Sequence, residues 1–134
     1  MRASDKALGA LKGACIKGVD MNEEVKALWT TALRSGEYDQ GRRALQAGGK
    51  FCCLGVLCDL YRIHVSPAEE WEHDGWRSAE WFMGQDTVLP PRVMRWAGLE
   101  TTWADYGNKG DCLTNDNDSG KTFAEIADVI EQHF

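Results

Sequence analysis

Apolar residues at Val25, Leu28, Trp29, Ala32 and Leu33 recur at the three-and-four spacing of one helix face. Asn22 is a good N-cap, Glu23 and Glu24 suit the positive end of the helix dipole, and Gly36 stands where a left-handed C′ residue belongs. These signals predict a helix over 23–34. From Phe51 to Leu60 the pattern changes, because Asp59 is the only charged side chain in the run FCCLGVLCDL. A helix apolar all round is buried on most sides, so 51–62 is predicted as a central buried helix rich in cysteine. At the C-terminal end Thr122 and Glu125 have capping-box spacing, and Phe123, Ile126, Ala127, Ile130 and Phe134 share a face. That predicts an amphipathic helix over 123–133, expected to pack on the cysteine helix.

Weaker signals fill the intervals. Gly36, Gly41, Gly48 and Gly49 punctuate a stretch that reads as a loop or short extended segment. Ser66-Pro67-Ala68-Glu69 has capping-box form and predicts a short helix over 67–73, ended by Gly75. Aromatic and β-branched residues predict strands in Trp76 to Phe82 and Asp86 to Leu89, and again in Thr101 to Tyr106 and Asp111 to Thr114, the last two divided by Gly107 to Gly110. Pro90-Pro91 opens a helix over 91–97 that Gly98 stops. Residues 1–20 carry Gly9, Gly13 and Gly18 and are expected to be a weakly structured N-terminal segment before a single domain over 21–134. The expected fold is a compact α+β domain: about five helices around a small antiparallel sheet drawn from 76–89 and 101–114.

Composition narrows the setting. A chain of 134 residues, 43% hydrophobic with six tryptophans, has the apolar area for one core. No apolar run approaches the ~20 residues that cross a bilayer, and the N-terminus lacks the apolar stretch of a signal peptide, so a cytoplasmic protein off the membrane is expected. Five cysteines, with Cys52 and Cys53 adjacent, do not form a secreted disulfide framework and are expected to be reduced. Basic and acidic residues number nine and six in 1–58, four and eight in 59–100, and two and seven in 101–134. Only Arg42 and Arg43 stand together, which argues against a nucleic-acid partner, since phosphate contacts need clustered cations. The acidic remainder either solvates the protein or meets a basic partner.

Several strings suggest chemistry. Ser119-Gly120-Lys121-Thr122 matches the end of a phosphate-binding loop, but Asn115 stands where its first glycine belongs and little chain follows; Thr122 as an N-cap explains it. Asn115-Asp116-Asn117-Asp118 offers oxygen ligands, yet Ile126 falls where a calcium loop needs its bidentate glutamate, leaving a polar turn before a helix. Cys53 and Cys58 leave four residues between them and have no second pair downstream to complete a zinc site. No metal or cofactor is therefore expected. Cysteine catalysis remains as an alternative: Cys52 or Cys53 at a helix N-terminus would have its thiolate favoured, with His73 as base. Of the tryptophans outside any single stripe, Trp76, Trp81 and Trp103 are the candidates for an exposed binding surface.

Four blocks, ALWTTALRSGEYDQGRRAL from Ala27, KFCCLGVLCDLY from Lys50, VLPPRVMRWAGL from Val88 and LTNDNDSGKTFAEIADVIEQ from Leu113, occur in this order. In them the chain resembles a family of small, largely uncharacterised proteins of tailed bacteriophages and prophages. The resemblance implies an accessory protein acting in the host bacterial cytoplasm and carries over no catalytic residue. The leading expectation is a non-enzymatic protein that binds a host or phage protein and so modulates host processes or defence. The alternative is a cysteine-dependent hydrolase or transferase using Cys52 or Cys53 with His73.

Overall fold

The computed structural model describes residues 20–73, 79–106 and 111–134. Helix α1, Glu23–Ser35, starts where Asn22 Oδ1 accepts from the amides of Glu24 and Val25 at 2.9 and 3.0 Å, and ends at Gly36 with φ of 79°. Helix α2, Cys53–His64, has every residue from Cys53 to Tyr61 buried. Helix α3 is Pro91–Ala97, α4 is Leu113–Asp118, and α5 is Phe123–His133 with both bonds of its capping box formed. Four two-residue strands, β1 Asp39–Gln40, β2 Gln46–Ala47, β3 Lys50–Phe51 and β4 Ala79–Glu80, form one sheet in the order β1-β3-β2-β4. The described residues thus form an α+β fold with five helices and the cysteine helix at its centre. None of these helices is long and apolar enough to cross a membrane.

The sheet departs from expectation in source and in sense. Three strands come from 36–50, read as a loop or short extended segment, and from Phe51, expected to open the central helix. Strand β1 pairs with β3 in parallel while the other pairings are antiparallel. Two-residue strands show no alternation for a pattern to reveal, and the β2–β3 turn is made by Gly48 and Gly49 at φ of 61° and 82°. Among the described residues of 76–89 only β4 joins this sheet, and those of 101–114 contribute one bridge, Asp105 to Cys112, before α4 begins.

The helix expected over 67–73 does not form. Trp71 donates its indole N–H to Asp59 at 3.1 Å and packs on Phe51 and Phe82, which pulls the chain out of a helical turn. Glu72 then pairs with Trp81 through two backbone bonds of 2.8 and 2.9 Å. The C-terminal helix also docks elsewhere than expected: α5 lies principally along α1, and α1 in turn packs on α2. Trp29, fully buried, ties that second contact by donating its indole N–H to Cys53 O at 3.0 Å. Arg34 of α1 meets Asp128 and Glu131 of α5 at 2.7 and 2.9 Å, an exposed pairing worth little next to the apolar contact. The N-terminal segment 1–19, the Gly75 stop, Trp76 and the 107–110 turn lie outside the described residues.

One glycine sets how closely the loop carrying Leu45 meets α2. A Cβ on Gly55 would stand 1.8 Å from Leu45 O, the same oxygen that accepts the Cys52 amide at 3.2 Å. Backbone on both sides leaves no side chain to yield. Gly55→Ala is expected to cost more than about 3 kcal/mol in urea unfolding. Gly36→Ala, strained in φ with nothing within 4 Å, should cost only about 1–2 kcal/mol.

Candidate functional site

The start of α2 is built around two amide side chains. Asn117 of α4, fully buried, accepts the Cys53 amide at 3.2 Å and the Gln40 Nε2 at 3.0 Å through Oδ1, and donates Nδ2 to Gly41 O at 2.8 Å. Gln40 of β1 donates to Lys121 O at 2.8 Å and accepts the Phe123 amide at 3.1 Å, the first of α5. Orphan donors at two helix starts are satisfied by this one pair. Beside it the Arg43 amide donates to Asp118 Oδ1 at 2.9 Å, holding Arg43 at φ of 66°, a left-handed conformation that costs a residue with a Cβ about 1–2 kcal/mol.

Next to these contacts opens a cleft of about 140 Å³ lined by Arg43, Ala44, Cys52, Thr87, Thr114 and Asp118. Its walls come from the β1–β2 connection, the N-cap of α2, the segment after β4, and α4. The Thr114 hydroxyl donates to Trp103 O at 3.2 Å, and the Leu89 amide donates to Thr102 O at 2.8 Å. The turn bearing Trp103 is therefore fastened to the two segments that supply Thr87 and Thr114. Trp103 itself is 44% exposed.

Cys52 reaches this cleft, and its chemistry is set by burial. Burial pushes its thiol from an ordinary 9.0 up to about 11, outweighing the Gly55 and Leu54 amides, which favour the thiolate. Cys53 and Cys58 are fully buried and pushed well up for the same reason. The Cys53 thiol faces Leu113 O at 3.7 Å. His73 is exposed and is not among the residues lining the cleft. The arrangement offers a protonated thiol, two hydroxyls, a guanidinium and a carboxylate around an opening that can bind, and the described lining includes no histidine. The described cysteines are free thiols, and no group of three or more His, Cys, Asp and Glu side chains among the described residues could hold a metal ion.

The other candidates are scattered. Trp81 is half-buried and paired by its backbone to Glu72, while Trp103 is not among the lining residues but stands on the turn whose carbonyl accepts from Thr114 of the cleft wall. Residues Asn115 to Asp118, read as a polar turn, are themselves within α4, and Thr122 caps α5. Asn117, Gln40 and Arg43 were not signalled individually. The adjacent Arg42-Arg43 pair and the polar run 115–118 were the traces they left in the sequence. A second buried polar centre, Asp59, accepts from Tyr38 at 2.7 Å, Trp71 at 3.1 Å and Arg62 at 2.9 Å. It anchors the aromatic cluster rather than the cleft.

Residues 21–134 match the model of a family described as a domain of unknown function, DUF8296. No curated protein and no solved structure matches the chain.

The elevated thiol has a consequence for stability. The folded state holds the Cys52 proton to about 11 while the unfolded chain releases it near 9.0, so its contribution is complete below pH 9.0 and is lost as pH rises toward 11. Cys52 should contribute roughly 2–3 kcal/mol to the fall in stability measured by chemical unfolding across that window, alongside the buried Cys53 and Cys58, and Cys52→Ala should make the fall smaller by that share. An unchanged slope in the variant would contradict the burial of this thiol.

Proposed function

The chain belongs to the DUF8296 family, and we propose that it is a non-catalytic accessory protein that binds a host or phage protein at the cleft rim beside α2. The observation that carries this reading is Trp103. A large indole left 44% exposed, on a turn tied to a cleft wall, has the character of a contact that becomes energetically important once a partner covers it. The phage and host setting rests on the four ordered sequence blocks. It places the encounter in the bacterial cytoplasm, with modulation of host processes or defence as the outcome.

Cysteine catalysis has one observation in its favour, the access of Cys52 to the cleft. Two stand against it: burial keeps the thiol protonated at neutral pH, and His73 lies outside the lining.

Immobilised protein and its Trp103→Ala variant, each exposed to lysate of phage-infected bacteria, test the reading. A protein retained by the wild type should be retained roughly tenfold less by the variant, as loss of an indole anchor implies. Equal retention on both, or none on either, would overturn it.

A further inference from the structure

We infer that the partner presents an acidic segment, with one aliphatic side chain entering the cleft and its carboxylates meeting Arg42, Arg43 and Lys121. This inference rests on the protein-binding reading and names the partner's chemistry. The chain carries a net charge of −6, yet these three cations stand on two segments that lie against each other, and Arg43 among them lines the cleft. The run 118–121 lies against 40–43: the Arg43 amide donates to Asp118, Gln40 donates to Lys121 O, and the Arg42 guanidinium lies 3.6 Å from where a Cβ on Gly120 would stand.

All three side chains are exposed, and none makes an ion pair or side-chain hydrogen bond with another described residue. By contrast, Arg34 and Arg62 are each engaged by carboxylates. Cations left unpaired on an acidic protein are the ones free to select a partner by charge. The single acid in the cleft, Asp118, already accepts from the Arg43 amide.

The cleft itself supplies the apolar part. Its lining of Ala44, the Cys52 thiol and the two threonines presents methyl groups and sulfur, and about 140 Å³ has room for one aliphatic side chain. Trp103, exposed on the turn that Thr114 ties to the cleft wall, would cover the neighbouring backbone of that segment. Nucleic acid fits less well: its affinity comes from many phosphate contacts, and three cations neutralise few of them.

The backbone of Arg43 allows a clean test. Glycine adopts φ of 66° without strain, so Arg43→Gly removes the guanidinium while preserving or raising stability. The ¹⁵N-labelled full chain is titrated with three probes: a capped peptide of aspartates and glutamates around one leucine, the same peptide with lysine for every acid, and a short oligothymidylate. The acidic peptide should move the amides of Ala44, Thr87 and Thr114 and the Trp103 indole N–H, and bind Arg43→Gly roughly tenfold more weakly.

Equal binding of the lysine peptide, or no weakening in Arg43→Gly, overturns the inference. Stronger binding of oligothymidylate at the same amides overturns it in favour of nucleic acid. A lysate protein whose capture depends on Trp103 but is unchanged by Arg42→Ala, Arg43→Gly and Lys121→Ala defeats the acidic partner alone. No captured protein together with no peptide binding defeats the protein-binding reading as well.

Discussion

Four parts of this fold meet at one buried side-chain amide. Asn117 sits at the junction of β1, α2 and α4, and through Gln40 reaches the first amide of α5. Each group it satisfies would otherwise be a buried donor or acceptor without a partner, at about 1–3 kcal/mol apiece. Hydrophobic burial supplies the bulk of the driving force, but it is indifferent to register. The amide pair is directional, and it specifies which residue of α4 faces the start of α2. Arg43, Asp118 and the cleft follow from that choice, because they flank the residues Asn117 engages.

A second polar centre performs the same office at the other side of α2. Asp59 gathers a phenol, an indole and a guanidinium, and the rings that bring those donors also touch one another. Tyr38 stacks edge-on against Phe51 at 5.0 Å, Phe51 against Trp71 at 5.8 Å, and Trp71 tilts against Phe82 at 5.0 Å. Burial, followed by the Asp59 contact, holds the Tyr38 phenol well above its ordinary range, so the pair stays a neutral donor on a carboxylate. The segment after α2 takes its path from this demand, which outweighs the local helix signal of Ser66 to Glu69.

What could be read in advance divides along physical lines. The caps at Asn22 and Thr122, the stops at Gly36 and Gly98 and the apolar run of α2 are local, and each appears where its own residues specify it. The mixed sheet was illegible because its strands are two residues long and owe their existence to pairing partners distant in the chain. The docking of α5 on α1 was equally hidden: an apolar face states that it will be covered, without stating by what. Cys52 and Trp103 were legible as residue types, whereas the fastening of the Trp103 turn to the cleft walls depends on hydrogen bonds from Thr114 and the amide of Leu89 that no spacing encodes.

The contact between Gly55 and Leu45 O bears on how the cleft behaves over time. Cys52 donates to that oxygen and Gly55 rests against it, so the floor of the cleft and the loop beside it are one rigid piece. Such an opening cannot widen to admit a larger group without detaching the loop from the helix. Its discrimination would therefore operate by exclusion at first encounter, with little reorganisation to slow association and little latitude for a family of differing ligands.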